Sequence, residues 1–251
     1  MQVMTLNKTS LTTMAILLGS MIVQQASAAI ALDRTRVVMN GNTDSVSMTL
    51  SNENKNLPYL AQGWIEDEHG KKITMPLTVL PPVQRIEAGA KSQLKIQSSS
   101  ALNSMPQDRE SLFYFNLREI PPRSKTPNTL QIALQTRIKL FYRPQAIALD
   151  KTQAAKGDWV EKVTLTRQGD SYIVNNPTPY YLTLVEGRPS VKGASVALEP
   201  GMVTPKGTMK LKASANALGN TPVLAYVNDY GGRPQIQFNC GGNTCQAKLV
   251  K

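Results

Sequence analysis

A period of two, repeated in short runs, constrains this chain more than any other feature. Val46, Met48 and Leu50 alternate with Ser45, Ser47 and Thr49, the pattern of a strand with one buried and one wetted face. Tyr59 to Ile65 carries Trp64 and ends at the turn-like Glu66-Asp67-Glu68-His69-Gly70. Ser92 to Ile96 alternates again. Leu112 to Ile120 sets Phe113, Phe115 and Leu117 on one face, Pro121-Pro122 stops it, and Leu130 to Tyr142 resumes the pattern. Further short strands are expected at Val160–Thr166, Tyr172–Val174, Tyr181–Val185, Val223–Val227 and Gln235–Phe238, divided by turn clusters such as Asn175-Asn176-Pro177-Thr178-Pro179. No segment offers an amphipathic helix of three turns.

Short strands with turns about every 8–12 residues predict an all-β fold of two immunoglobulin-like β-sandwich domains. The inter-sheet disulfide of antibody domains is absent, because neither cysteine lies in the first half. The break between domains follows Arg143-Pro144, since Pro144 has no N–H to give a ladder. From Gln145 to Asp158 the chain is small and polar. The expected division is residues 29–147 and 148–251, joined by a short hinge that leaves an interdomain cleft.

The first 28 residues read as an export signal. Lys8 is the only charge before Asp33, the apolar stretch Met14 to Val23 follows it, and Ala26-Ser27-Ala28 presents small residues at both recognition positions of a signal peptidase. That apolar stretch is too short to span a bilayer. Cleavage after Ala28 starts the mature chain at Ala29, and no second long apolar run follows. The formal charge of +11 is scattered, with no basic run longer than Lys71-Lys72, so it reads as a general basic field and not as a nucleic-acid site.

An oxidising compartment favours a disulfide between Cys240 and Cys245, whose Gly-Gly-Asn-Thr interior supplies a hairpin turn. A structural zinc site needs about four ligands, and two cysteines with one histidine do not supply them, so no metal is expected. Hydrolytic triads and most acid–base sites lean on histidine. His69, the single one, sits in a charged turn, and there is no nucleophile elbow, zincin motif or phosphate-cradling glycine loop. No catalytic residue, cofactor or nucleotide is expected.

The most informative segment is Leu130 to Lys139. Leu130, Ile132 and Leu134 form an apolar row, with Gln131, Ala133 and Gln135 opposite. Two readings fit: an ordinary half-buried strand, or an exposed edge that pairs with another protein's sheet. Periodicity alone does not separate them.

A resemblance does. Glu110-Ser111-Leu112-Phe113-Tyr114-Phe115-Asn116-Leu117-Arg118-Glu119-Ile120-Pro121-Pro122-Arg123 resembles the signature of the periplasmic pilus chaperone family. Leu32-Asp33-Arg34-Thr35-Arg36, Lys139-Leu140-Phe141-Tyr142-Arg143-Pro144 and Asn228-Asp229-Tyr230-Gly231-Gly232-Arg233-Pro234 are similar to that family too, so the likeness runs over essentially the whole mature chain.

The resemblance implies a boomerang of two domains and a periplasmic chaperone that serves pilus subunits and the outer-membrane usher without nucleotide. By motif position it makes Arg36 and Lys139 the anchor for a subunit's C-terminal carboxylate. Leu130, Ile132 and Leu134 become the strand that fills the groove of a subunit lacking its last strand. Glu110, Arg143 and Asp229 become an ion network between the domains. The eight-residue connection Pro121 to Asn128 resembles the short-loop subclass serving rod-like adhesive pili, and an exposed strand leaves self-capping as a homodimer open to the free protein. Lys139 has the opposite parity from Leu130, Ile132 and Leu134, so its meeting with Arg36 depends on which face turns to the cleft. A structural pilin is the first rival, but it expects a free N-terminal extension where Leu32 here follows the cleavage site almost at once. A polyanion binder is the second, and it expects salt-sensitive binding that tolerates loss of Arg36.

Overall fold

The alternating runs become strands in the computed structural model, which describes residues 28–250. The export signal read over residues 1–28 therefore lies, apart from Ala28, outside the described residues. The first half contains β1 (Ile30–Leu32), β2 (Arg36–Asn40), β3 (Ser45–Asn52), β4 (Tyr59–Asp67), β5 (Lys72–Ile73), β6 (Leu77–Leu80), β7 (Val83–Ile86), β8 (Lys91–Ser98), β9 (Ser111–Ile120) and β10 (Gln135–Arg143). They form two sheets, β1-β3-β8-β6 and β2-β10-β9-β4-β5, with β7 also paired to β4. The rows predicted to face inward do so: Met48 and Leu50 on β3, Leu94 and Ile96 on β8, and Phe113, Phe115 and Leu117 on β9 are buried in one core.

Two expectations are corrected. The chain does not enter a strand at Leu130; pairing starts at Gln135. Pro121 and Pro122 offer no N–H, and of residues 121–134 only Leu134 joins the backbone ladder, its carbonyl accepting from Glu119 N at 3.0 Å. Nor does a strand open at Val160. Gly157 adopts φ +67°, and Asp158–Lys162 forms a 3-10 turn that buries Val160 before the next strand begins. The polar stretch between the domains carries the short helix α1 (Lys151–Lys156), held by a capping box in which Asp150 accepts from Gln153 N and Gln153 reaches back.

The second half contains β11 (Thr164–Gln168), β12 (Ser171–Asn176), β13 (Leu182–Arg188), β14 (Gly201–Val203), β15 (Gly207–Ser214), β16 (Val223–Tyr226), β17 (Gln235–Gly241) and β18 (Thr244–Leu249). One ladder joins them in the order β14-β13-β16-β17-β18-β11-β12-β15. Its two ends, β14 and β15, are consecutive in the chain, so the ladder curls round a second core that includes Val163, Tyr172, Val174, Leu184, Leu224 and Phe238. Cys240 and Cys245 are register partners on β17 and β18 and form a disulfide across that hairpin.

The loop closed by this disulfide is short, so its stabilisation sits at or below the ~3 kcal/mol of a 15-residue loop. Replacing both cysteines by serine should lower unfolding free energy by no more than that. A urea titration that reads the two domains separately should find the loss in the second domain.

Candidate functional site

Alternation fails at the end of β10, and the failure locates the site. Leu140, Phe141, Tyr142 and Arg143 are all buried, because this strand is covered on both faces. Ile138, Leu140 and Tyr142 point into the first core. Lys139, Phe141 and Arg143 point the other way, toward the second domain, where Phe141 meets Tyr181 with ring centroids 5.5 Å apart.

Strand β2 lies parallel to β10 with Arg36 opposite Lys139, Val38 opposite Phe141 and Asn40 opposite Arg143. Side chains opposite each other in register share a face of the sheet. The parity that turned Lys139 away from the core therefore sets it beside Arg36. Arg36 Nη1 donates to Val227 O at 2.9 Å, and Lys139 Nζ donates to Thr183 Oγ1 at 3.3 Å. Both acceptors belong to the second domain, and both are neutral.

Arg36 Nε is buried without a partner among the described residues. Burial lowers the pKa of Lys139, and the nearby Arg36 lowers it further. Burial likewise lowers Arg36, with Asp229 and Glu110 pulling back. Two neighbouring cations, both disfavoured by partial desolvation, form a place that an incoming anion would stabilise. A cavity of about 420 Å3 opens beside Arg36 at the domain junction, lined also by Val38, Asn40, Arg143, Asp229 and Tyr230.

The three ionic residues meet in a separate cluster. Arg143, 2% exposed, reaches Glu110 Oε1 from Nη2 at 2.8 Å and Asp229 Oδ2 from Nη1 at 2.8 Å. Its Nη2 also donates to Asp229 Oδ1 at 3.1 Å, and its guanidinium lies 4.9 Å from the Tyr180 ring centroid. Glu110 Oε2 accepts from Tyr181 N at 2.7 Å, so this carboxylate also bridges the domains. Asp229 is presented by a tight turn in which Asn228 Oδ1 accepts from Tyr230 N and Gly232 N and Gly231 takes φ +83°. Burial pushes the Glu110 carboxyl up to about 7, against the pull of Arg143 and the Tyr181 N–H. Burial opposes the Arg143 charge, but Glu110 and Asp229 more than offset it and hold the guanidinium protonated.

The apolar row lies where β10 leaves its sheet. Leu130, Ile132 and Leu134 are 84%, 65% and 38% exposed. They are not sealed inside their own domain, and among the described residues their only backbone tie is the Leu134 carbonyl. Sequence reasoning missed the neutral partners of the cations, Val227 and Thr183, and the Tyr180–Tyr181 pair. No local pattern marks them, since which carbonyl, N–H, hydroxyl or ring meets a charged group is set by segments remote in sequence. It also missed the polar face of β4 and β9 beside Lys139, where Arg137 stacks 3.4 Å above the Tyr114 ring and Arg118 lies 5.3 Å from Trp64.

Comparison with known proteins follows these two halves. The family model described as "Pili and flagellar-assembly chaperone, PapD N-terminal domain" matches residues 29–148, and "Pili assembly chaperone PapD, C-terminal domain" matches residues 158–238. The chain is 51% identical over 235 residues to the probable fimbrial chaperone YfcS of Escherichia coli (strain K12), covering 93% of this chain and 91% of that one. It is 49% identical over 232 residues to the chaperone protein PapD of Escherichia coli, covering 92% and 94%. The crystal structure of the periplasmic chaperone SfaE superposes with a TM-score of 0.66 at 32% identity, covering 83% of this chain and 98% of that one.

Removing one partner of a buried ion pair costs about 3–5 kcal/mol, because the other charge is stranded. Arg143→Ala should approach that loss at pH 8, where Glu110 is ionised, and cost less at pH 5.5. An acid whose folded pKa lies above its unfolded value contributes stability below the unfolded value, and that stability is lost as pH rises through the folded one. Without Arg143 the lowering pull on Glu110 is gone, so the variant should lose more than the parent as pH climbs through 7. Urea titrations of both proteins at the two pH values check the sign.

Proposed function

This chain belongs to the PapD family of pili assembly chaperones, and from that premise we propose which of its residues hold a pilus subunit and how. The protein lends a strand to a subunit whose own sandwich is one strand short, keeps it folded in the periplasm, and passes it to the outer-membrane usher. The observation that carries this reading is a row of exposed apolar residues leading into β10, where Lys139 and its β2 neighbour Arg36 make no ion pair among the described residues. Leu130 and Ile132 are the most exposed of the row, and Lys139 with Arg36 stands at its far end.

The physics divides the work. The Arg36 fork and the Lys139 ammonium grip the carboxylate that ends the subunit chain, each such bond contributing about 1.5–3 kcal/mol. That grip fixes the register of the subunit residues upstream, and a slip of one residue would turn every side chain to the wrong face. Backbone pairing along residues 130–139 then supplies affinity without demanding a particular sequence, while Leu130, Ile132 and Leu134 fill the subunit's open groove. At ~25 cal/mol per Å2 of apolar surface, three such side chains contribute several kcal/mol before ordering costs. Among the described residues no strand pairs with that edge before Lys139, which leaves the segment free to do this.

The same residues support a binding protein and not an enzyme. His69, the one histidine, is an exposed turn residue whose Nε2 lies 3.6 Å from Glu68. Among the described residues no group of three or more histidine, cysteine or acidic side chains is placed to hold a metal ion. Periplasmic residence rests on the leader read from Lys8 to Ala28. The surplus positive charge has no run or groove that favours a polyanion over a carboxylate.

Arg36→Ala and Lys139→Ala should each weaken capture of a subunit by about 10- to 150-fold, the equivalent of one charge-assisted bond, while leaving the urea midpoint within that of a surface substitution. Amidating the C-terminus of a peptide copied from a subunit's last strand should cost the parent protein more than either substitution does, and should cost each variant, which keeps one of the two cations, less than it costs the parent. Ile132→Asp should weaken capture with the carboxylate grip intact. Titration calorimetry with the two peptide forms reads all three, and equal affinity for acid and amide peptides would overturn the anchor.

A further inference from the structure

Glu119 is a buried charge for which the subunit-capture reading has no use. It lies on the core-facing row of β9 with Phe113, Phe115 and Leu117, and is 6% exposed. Its Oε2 accepts from Ile30 N at 2.8 Å across 89 residues of sequence. None of the ion pairs among the described residues includes it. A buried carboxylate is expensive unless a cation answers it.

The strand that Glu119 touches is short and lies at a sheet edge. β1 has three residues and pairs with β3 alone, while Glu119 belongs to the opposite sheet, so its carboxylate ties one sheet to the other. One residue before Ile30 is Ala29, whose carbonyl accepts from Glu53 N at 2.7 Å. One step of chain spans at most about 3.8 Å, so with Ile30 N at 2.8 Å the Ala29 nitrogen lies within about 7 Å of the carboxylate, close enough for a small turn of the chain end to close the pair. Ala29 is also the residue that follows Ala26-Ser27-Ala28.

We propose that cleavage after Ala28 supplies the missing cation: the new α-ammonium of Ala29 pairs with Glu119 and locks β1 to the opposite sheet. This rests on the export signal and is independent of the subunit anchor. Water adds across the Ala28–Ala29 amide under a signal peptidase, leaving a carboxylate on Ala28 and an amine on Ala29 that is protonated at neutral pH. The uncleaved chain has an uncharged amide nitrogen at this position, so it folds without the pair. Processing thus completes the fold electrostatically after export. The Glu119 backbone N also holds the Leu134 carbonyl, so the same residue steadies the base of the exposed segment.

Other charges near β1 are exposed or paired: Glu53 just past β3, Lys91 on β8 opposite Ser51, Glu87, which is paired with Arg85 at 2.7 Å, and Asp33 with Arg34, paired with each other at 2.8 Å. On β9, Arg118 projects to the other face, over Trp64. Glu119 is the buried acid that faces the chain start.

The test compares the exported protein, its N-terminus read by mass spectrometry, with the same chain extended to begin at Ser27, each with and without Glu119→Gln. Glutamine keeps an oxygen for Ile30 N, and the extended pair subtracts any purely structural cost. In the processed protein the α-amino group, followed by NMR on labelled alanine, should titrate above its ordinary value of about 7.7–8.0 and return to it in the glutamine variant. At pH 7 the substitution should raise the unfolding constant several-fold more in the processed form than in the extended one. A raised ammonium pKa contributes stability below the unfolded value that is lost as pH rises through the folded one, so that excess should vanish at high pH. Equal effects in both forms, an ordinary α-amino titration, or an exported chain starting elsewhere than Ala29 would each overturn the pairing.

Discussion

Arg143 holds the two domains at one setting, and the rest of the candidate site depends on that setting. Its guanidinium takes Glu110 from the first domain and Asp229 from the second, while Glu110 also accepts from Tyr181 N and donates its own N–H to Pro179 O. Between the domains, α1 buries none of its residues, and the 3-10 turn that follows it packs Val160 into the second core alone. The charged cluster supplies what the hinge lacks, because a buried guanidinium tolerates no geometry in which a carboxylate leaves it. Arg36 reaching Val227 and Lys139 reaching Thr183 are consequences, since both contacts cross the boundary that Arg143 closes.

The site that results is an unmet electrostatic demand next to an unmet hydrophobic one. Two half-buried cations without an anion, and three apolar side chains without a core, are each unfavourable in a free protein. The proposed reading answers both with one guest, an extended chain with apolar alternation and a carboxylate at its end. Lys139 on β10 and Arg36 on the adjoining β2 lie just beyond the upstream segment that carries the apolar row. An exposed apolar edge is also a hazard for self-association.

Much of this was legible in the residues. The alternation of Val46 to Leu50 and of Phe113 to Leu117 named the inward faces, because a half-buried strand has to alternate. Cys240 and Cys245 named their own hairpin, because four residues with two glycines between them allow little else. The exposure of Leu130 to Leu134 was not legible, since a row buried in its own core and a row left open carry the same period. The 3-10 turn at Asp158–Lys162 escaped for a related reason: a short apolar run has no period long enough to choose a state, and the left-handed Gly157 chose it.

What the sequence by itself determined is everything that acts along the chain: strands and their inward faces, the turn chemistry, the disulfide, the family likeness and the residue types gathered at its motifs. The tertiary structure alone decided what acts between segments far apart. It set Arg36 opposite Lys139 through a parallel pairing of β2 with β10, brought Glu110 and Asp229 to one guanidinium, and turned Glu119 toward the start of β1. The physical reason is that alternation states which side of its own strand a residue occupies. What lies on that side is set by the pairing of strands and domains remote in sequence.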